Sequence, residues 1–182
     1  VEGAVVRGAV LVSALATDNL DTRPTLLVTA PPALAGADLD GDPTDSDARV
    51  TVDTMALVGP EGPFAITFES VDDATNTRVE TRHLVVDNVP PAIAIAGVVD
   101  GASYAPPRVI DVTVTDPHLA ASTVRLDGNP FSSGAAVVAP GLHTLTVTAS
   151  DTAGNQSSAT RGFRIDASLP TISVSGFTNH GF

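Results

Sequence analysis

The sequence contains no cysteine, no lysine and no tryptophan, and its single tyrosine is Tyr104. Without cysteine there is no disulfide framework to hold a small domain together. The shortage of aromatic side chains argues against a sugar-binding module, because sugar rings usually stack on exposed aromatic faces. Apolar runs long enough to cross a bilayer are also absent, so no segment is predicted to insert into a membrane.

Positive charge is scarce as well, with nine basic residues against 21 acidic ones and a net charge of −12. Nucleic-acid binding and docking on anionic lipid both need a basic surface, so we expect neither of them. The sequence has no secretory signal, no Gly-x-Ser-x-Gly elbow and no glycine-rich phosphate loop. We therefore expect a piece of a longer product and no enzymatic activity.

The chain repeats itself. The segment at residues 64–91 is echoed by a second segment in which His143 stands where the first copy has Phe64. An internal repeat of this period indicates tandem domains of one type. The residues of the first copy that recur are Thr67, Asp72, Ala74, Asn76, Thr81, Arg82, Asp87, Pro91, Ile93 and Gly97.

Each copy has the pattern of a β-hairpin. Leu145, Val147 and Ala149 alternate with polar residues, which is the period of a half-buried strand. The Asp-Thr-Ala-Gly-Asn that follows is turn chemistry. A second alternation around Phe163 and Ile165 returns the chain, and the sequence is predicted to be all-β.

These motifs resemble the tandem immunoglobulin-like repeats of bacterial surface and secreted proteins. The similarity lies in a strand that ends in Thr-Ala-Ser-Asp, the turn Asp-x-Ala-Gly-Asn, a strand that ends in Ile-Asp, and Pro170 before the next unit. It implies two tandem immunoglobulin-like β-sandwich domains at an extracellular or cell-surface location. Such modules serve as stalks, adhesin arms, filament subunits and enzyme appendages, so the resemblance alone does not choose among them.

The spacing of the repeat predicts the domain boundaries. Val1 aligns with Val99 and Asp18 with Asp116, whereas Phe64 aligns with His143, so the offset between the copies is larger at the start than at the end. The first copy therefore carries an insertion between about positions 20 and 64. Within it, the residues at 49–57 alternate in the manner of a strand, which predicts a strand there. We predict a first domain at 1–88 that lacks its first strand, and a second at 89–167. Residues 168–182 would form the first strand of a further domain or a donor strand.

The insertion contains an acidic loop with crowded carboxylates and a glycine that lets the backbone turn. Hard oxygen ligands at this density suit calcium, and the pattern resembles the calcium loops of bacterial surface repeats. A solvated acidic loop without metal is the alternative. The candidate ligands are Asp38, Asp40, Asp42, Asp45 and Asp47.

The interdomain linker is predicted at Asp87, Asn88, Pro90 and Pro91. It resembles the Asp-Asn-x-Pro linker of cadherins, which would imply a second calcium site. A short rigid proline linker that limits bending is the favoured alternative, because the other cadherin motifs are absent.

The histidines offer no paired spacing, so histidine ligation of a metal is not expected. They are His83, His118, His143 and His180. His143 occupies a position where immunoglobulin-like domains often have a tyrosine at a strand corner, which predicts a structural role.

The C-terminal segment repeats the strand that opens the second domain. Either a longer array ends here arbitrarily, or this segment completes the first domain of another copy, head to tail. The strand-exchange residues would be Thr171, Ile172, Ser173, Val174, Ser175 and Gly176.

The predicted function is a structural repeat of an extracellular bacterial filament, stalk or adhesin. Its predicted partners are other copies of the chain or neighbouring immunoglobulin-like repeats, and calcium is its candidate cofactor. An adhesive or ligand-binding module, or a non-catalytic appendage of a secreted enzyme, remains open.

Overall fold

The computed structural model describes residues 2–19, 24–29, 47–56 and 61–176. Within these residues the chain forms β-strands and one short 3₁₀ helix, Thr54–Ala56. The strands are β1 (Ala4–Val6), β2 (Ala9–Leu15), β3 (Thr25–Thr29), β4 (Asp47–Asp53), β5 (Glu61–Val71), β6 (Thr77–Asp87), β7 (Ala92–Ala96), β8 (Ser103–Tyr104), β9 (Arg108–Val109), β10 (Asp111–Thr115), β11 (Leu119–Leu126), β12 (Asn129–Pro130), β13 (Ala136–Val137), β14 (Gly141–Asp151) and β15 (Gln156–Ile165).

The first hairpin repeat lies in a sheet of order β1-β6-β5-β3, accompanied by the two-stranded sheet β2-β4. Strands β5 and β6 are antiparallel, with Phe64 opposite Leu84, whereas β1 runs parallel to β6. Alternate residues of β5 are buried because successive side chains of a strand point to opposite faces. The core formed in this way consists of Val52, Phe64, Ile66, Phe68, Leu84 and Val86.

The second hairpin repeat lies in a sheet of order β12-β11-β14-β15-β8, and the pairs β10-β7 and β13-β9 accompany it. A two-residue turn joins β11 to β12 through Asp127 and Gly128, which have φ angles of 51° and 81°. Positive φ at both central residues is the requirement of the hairpin turn that Asp-Gly favours. The buried apolar side chains in this part of the chain are Val98, Ile110, Val137, Leu145, Val147, Ala149, Phe163 and Ile165.

The backbone contacts divide the chain into two compact units. The first unit comprises Val1–Ile93, Val114–Thr123 and Thr148–Ser158. The second unit comprises Ala94–Thr113, Val124–Val147 and Ala159–Phe182. The domain boundaries inferred from the repeat, 1–88, 89–167 and 168–182, stay a prediction.

The fold is all-β, as predicted from the alternating residues. Both predicted hairpins are present, at β5–β6 and β14–β15. The strand expected at residues 49–57 is instead β4, which begins at Asp47 and gives way to the 3₁₀ helix at Thr54. The side-chain oxygen of Asp53 accepts a hydrogen bond from the backbone N–H of Met55 (3.0 Å), a local bond that competes with a continued strand.

Candidate functional site

The acidic loop is almost entirely outside the described residues. Asp38, Asp40, Asp42 and Asp45 lie there, and only the backbone of Asp47 is described, at the start of β4 opposite Leu15. Calcium binding by these five carboxylates therefore stays a prediction.

The predicted linker begins at Asp87, which ends β6 and is paired with Glu61 of β5. Its side chain is completely buried. One carboxylate oxygen accepts the backbone N–H of Val89 at 3.1 Å, and the other lies 3.0 Å from Nδ1 of His118. A buried carboxylate needs such partners because its desolvation is otherwise costly.

Asn88 continues the linker and bonds to Thr54, the first residue of the 3₁₀ helix. The Thr54 hydroxyl donates to the Asn88 side-chain oxygen at 3.0 Å, and the Asn88 amide donates to the Thr54 carbonyl at 2.9 Å. Of the two prolines that follow, Pro90 is exposed and Pro91 is buried. The linker is thus held by side-chain bonds in addition to its prolines.

The turn of the second hairpin contacts the same linker. The amide of Asn155 donates to the backbone carbonyl of Asp87 at 3.0 Å and to the Asp151 carboxylate at 2.6 Å. Its side-chain oxygen accepts a bond from the Arg7 guanidinium at 2.8 Å. Asn155 and Asp151 are both buried, so these bonds are shielded from water.

We call Thr54, Asp87, Asn88, His118 and Asn155 the linker network. All five residues belong to the first compact unit. The sequence could not predict the residues that bond to Asp87 and Asn88, because they are distant along the chain. His118 and Asn155 are 31 and 68 positions from Asp87, and Thr54 is 34 positions from Asn88. Of the residues that bond to Asp87 and Asn88, Asn155 lies in a recognisable sequence motif. That motif predicted a turn, but it did not predict what the turn would contact.

His143 has the structural surroundings that its position suggested. It is 9% exposed and stacks on Phe163, with the ring centroids 5.5 Å apart. Its Nδ1 faces the Asp127 carboxylate at 2.7 Å, and its Nε2 faces the Ala139 carbonyl at 2.8 Å. Both partners are acceptors, so both bonds form together only when the imidazole is protonated on both nitrogens.

These bonds move the pKa values of the pair in opposite directions. The hydrogen bond to Asp127, followed by that to the Ala139 carbonyl, raises the pKa of His143 against the opposing effect of burial. Partial desolvation opposes ionisation of Asp127, but bonds from the Thr144 backbone N–H and from His143 outweigh it and lower the pKa. We call the pair a strand-corner clamp, because its buried imidazole bonds to Asp127 through one ring nitrogen and to Ala139 through the other.

An open groove of about 1090 Å³ lies in the first unit. It runs along β2, since its lining includes every residue from Val10 to Leu15, from both faces of that strand. The opposite wall is formed by core residues such as Ile66 and Leu84. Among the described residues, β2 is hydrogen-bonded only to β4, so the groove follows a sheet edge.

The predicted strand-exchange residues 171–176 form no strand in this chain, and all six are exposed. Ile172 is 89% exposed and Val174 is 69% exposed. Their pairing with another copy stays a prediction.

No protein-family model matches the chain, and no curated protein matches it significantly. Solved structures with similar folds include the fibronectin(III)-like modules of Clostridium thermocellum CbhA, at 12% identity and a TM-score of 0.42, with 97% of this chain and 96% of that one covered. The titin domains z1z2 in complex with telethonin give 13% identity, a TM-score of 0.37 and 90% coverage of each chain.

A third similar structure is the protocadherin gammaB7 EC3-6 cis-dimer, at 16% identity and a TM-score of 0.43, which covers 91% of this chain and 46% of that one. Likenesses of this size assign no function. The part of the chain that the structure describes contains no helix with the length and apolar character needed to cross a bilayer.

Proposed function

We propose that this chain is a non-catalytic structural repeat of an extracellular bacterial stalk, fibre or adhesin arm. The observation that supports it most directly is the linker network, in which Asp87 and Asn88 are bonded to Thr54, His118 and Asn155. In a flexible tether, the side chains of the linker would be solvated instead. Here the linker side chains are held by hydrogen bonds, as a load-transmitting repeat requires.

The two hairpins support the same role. Each places two long antiparallel strands side by side, β5–β6 and β14–β15, with alternate side chains in an apolar core. Rupture of such a sheet requires many backbone bonds to break together. The chain has no disulfide to limit extension, so the sheets would have to bear the load themselves.

Single-molecule pulling on the full chain between its ends tests this role. A mechanical repeat should give discrete unfolding events, each releasing at most about 3.6 Å of contour per unfolded residue. Asn155→Ala should lower the force of one event because it removes the bonds to Asp87 and Asp151. A smooth extension at low force, with no discrete event, would rule out load bearing.

We further propose that such repeats join head to tail by strand addition at β2. In the second repeat, β10 pairs with β7. The counterpart of β10 in the first repeat includes the end of β2, whose edge opens onto the groove. An edge strand of this kind can accept an extended segment through backbone hydrogen bonds and side-chain pockets.

The proposed occupant is residues 171–176 of another copy, because they repeat the sequence of β7. In β7 the side chains of Ile93 and Ile95 are half-buried and the alanines that alternate with them are exposed. The same alternation would place Ile172 and Val174 in the groove and leave Ser173 facing solvent. Apolar burial of the two side chains would supply the affinity.

Sedimentation of the full chain over a range of concentrations tests the joint. The unaltered chain should self-associate, and Ile172→Asp combined with Val174→Asp should abolish association because it replaces by carboxylates the two apolar side chains that would be buried in the groove. The matched control Ser173→Asp should still associate. A chain that stays monomeric at all concentrations, or equal association of both variants, would contradict strand addition.

We also propose that the acidic loop binds calcium. Its five crowded carboxylates provide the oxygen ligands that calcium prefers. Calorimetry should then detect calcium binding that is lost in Asp40→Asn with Asp42→Asn and retained in Asp72→Asn with Asp73→Asn, which alters acids elsewhere. The absence of heat and of any change in melting temperature would remove this cofactor.

A further inference from the structure

Three metal-ligating side chains converge next to the linker. Asp87 ends β6, while Asp116 and His118 lie in the turn between β10 and β11. One ligand atom from each residue lies within 4.8 Å of the ligand atoms of the other two. All three residues belong to the first unit, and they come from two separate stretches of the sequence.

The charges at this place favour a cation. Asp87 is completely buried, and Asp116 and His118 are half-buried. Two carboxylates therefore share a partly desolvated volume with one imidazole, while the nearby Arg7 guanidinium donates to the Asn155 side-chain oxygen. A bound cation would compensate both carboxylates together, which lowers the cost of their burial.

The donor set selects the kind of cation. One imidazole nitrogen with two carboxylate oxygens suits zinc and similar transition metals, whose bonds to nitrogen and oxygen are about 2.0–2.2 Å long. Calcium prefers six to eight oxygen ligands and is poorly served by imidazole. The 3.0 Å between Asp87 Oδ2 and His118 Nδ1 is close to the separation of neighbouring ligands around a small tetrahedral ion.

The surrounding bonds hold the ligands in place. The His118 backbone N–H donates to the Asp116 carboxylate at 2.7 Å, and the His118 carbonyl accepts the Thr152 N–H at 2.9 Å. Asn155 bonds to the carbonyl of Asp87. Outer bonds of this type orient ligands and increase metal affinity. The partial exposure of Asp116 and His118 leaves a route for the ion and for a water ligand.

The other histidine–carboxylate pairs of the described residues have no second carboxylate close enough to complete a group of three. His83 lies 2.8 Å from Glu2, and His143 lies 2.7 Å from Asp127. In the part of the chain that the structure describes, only Asp87, Asp116 and His118 form a group of three. His143 is moreover bonded on both ring nitrogens to groups outside any such cluster, whereas His118 Nδ1 is bonded to Asp87, which is itself one of the three residues.

We propose that Asp87, Asp116 and His118 bind a divalent transition metal of the zinc class. The bound ion would connect the end of β6 to the turn that precedes β11. This site is separate from the acidic loop, which would use oxygen ligands alone. It stands whether or not the chain serves as a stalk repeat.

Titration of the full, tag-free chain with zinc tests the proposal by calorimetry, and cobalt provides an absorption signal from the same site. His118→Gln and Asp116→Asn should each weaken zinc binding at least about tenfold. Both substitutions keep a polar side chain of similar size, and the amide oxygen introduced by Asp116→Asn could still accept the His118 N–H. The matched control His83→Gln should bind zinc as the unaltered chain does.

Zinc should also raise the melting temperature of the unaltered chain in a concentration-dependent manner, because a ligand that binds the folded state stabilises it. That rise should disappear in His118→Gln and persist in His83→Gln. If one ligand variant fails to fold, the other still tests the site. Zinc binding that is absent, or equal in His118→Gln and the unaltered chain, would overturn the proposal. So would calcium binding at this site that His118→Gln leaves unchanged.

Discussion

The turn between β5 and β6 and the turn between β14 and β15 share the pattern Asp-x-Ala-x-Asn. In the first turn, Asp72 accepts the backbone N–H and the side-chain amide of Asn76, both at 2.7 Å. In the second, Asp151 accepts the same two groups of Asn155 at 2.8 and 2.6 Å. The local hydrogen bonds are the same in both.

Their surroundings differ. Asn76 is exposed, and its bonds to Asp72 are open to solvent. Asn155 is 3% exposed and also bonds to the Asp87 carbonyl and the Arg7 guanidinium. A motif that closes a hairpin in both copies therefore also bonds to Asp87 in the second. The difference shows that a turn sequence specifies its own geometry but not its contacts.

The largest effects on stability are expected from substitutions in the cores, and they should be equally large in the two hairpins. Ile66 and Leu145 occupy equivalent positions in the two hairpins, and both are completely buried. Ile66→Ala and Leu145→Ala should each reduce the free energy of unfolding by about 2–5 kcal/mol, through lost burial and the cavity that remains.

Native-state hydrogen exchange, which resolves β5–β6 from β14–β15, would measure the two losses separately. Ser173→Ala serves as a control because the residue is exposed and should change neither sheet. A large loss at only one of the two core positions would mean that the hairpins are not equivalent.

The next largest loss of stability should differ between the two turns. Asn155→Ala should cost about 3 kcal/mol, because it leaves the buried Asp151 carboxylate and the Asp87 carbonyl short of a donor. Asn76→Ala should cost about 1 kcal/mol, since water can replace the lost bonds. Urea unfolding of the two variants measures the difference, and equal losses would show that burial of the second turn contributes nothing.

A smaller effect concerns pH and comes from the His143–Asp127 pair of the second copy. The raised pKa of His143 gives a stabilisation that is complete below its ordinary value of 6.5 and is lost as the pH rises through the raised value. The lowered pKa of Asp127 gives a second stabilisation, which is present above the ordinary pKa of 3.8 and is lost as the pH falls through the lowered pKa. The pair therefore stabilises the fold most between these limits.

His143→Phe introduces the residue that the first copy has at this position, Phe64. It should remove the loss of stability above neutral pH, which we expect to be about 1 kcal/mol for a hydrogen bond of this kind. Melting temperatures measured from mildly acidic to mildly alkaline pH would reveal the change. His83→Gln is the control, and a pH profile that His143→Phe leaves unaltered would contradict the clamp.

The smallest effect concerns the backbone of the two turns. Thr75 has a φ of 67°, and its counterpart Gly154 has a φ of 90°. A β-branched residue is strained at positive φ, whereas glycine is not. Thr75→Gly should raise stability by up to about 1 kcal/mol, and Gly154→Thr should lower it by a similar amount. Thermal unfolding would test both, and a loss of stability in Thr75→Gly would show that the side chain makes a compensating contact.

Much of the fold could be predicted because it depends on short-range patterns. The alternation around Leu145 and Val147 predicted β14, and the Asp-Thr-Ala-Gly-Asn that follows predicted the turn before β15. The end of β4 was predicted less well, because the bond between Asp53 and the Met55 backbone lies inside a run that alternates like a strand.

The candidate site could be predicted only in part. Asp87 and Asn88 were predicted to be linker residues, which stays a prediction, and His118 was not expected to ligate a metal, since it has no second histidine at a suitable spacing. Its neighbours in the site are Asp116, two positions away, and Asp87, 31 positions away. A search for regular ligand spacing cannot detect a pair that separate strands bring together.

The sequence by itself determined the all-β class, the two hairpin copies, the acidic character and the geometry of the turns, because each of these is carried by composition or by residues within a few positions of one another. Tertiary structure alone decided that Asn155 is buried against Asp87 while Asn76 is exposed, and that Asp116 and His118 lie beside a buried carboxylate. The physical reason is that burial and convergence depend on how distant strands pack, and packing is not written in the spacing of neighbouring residues.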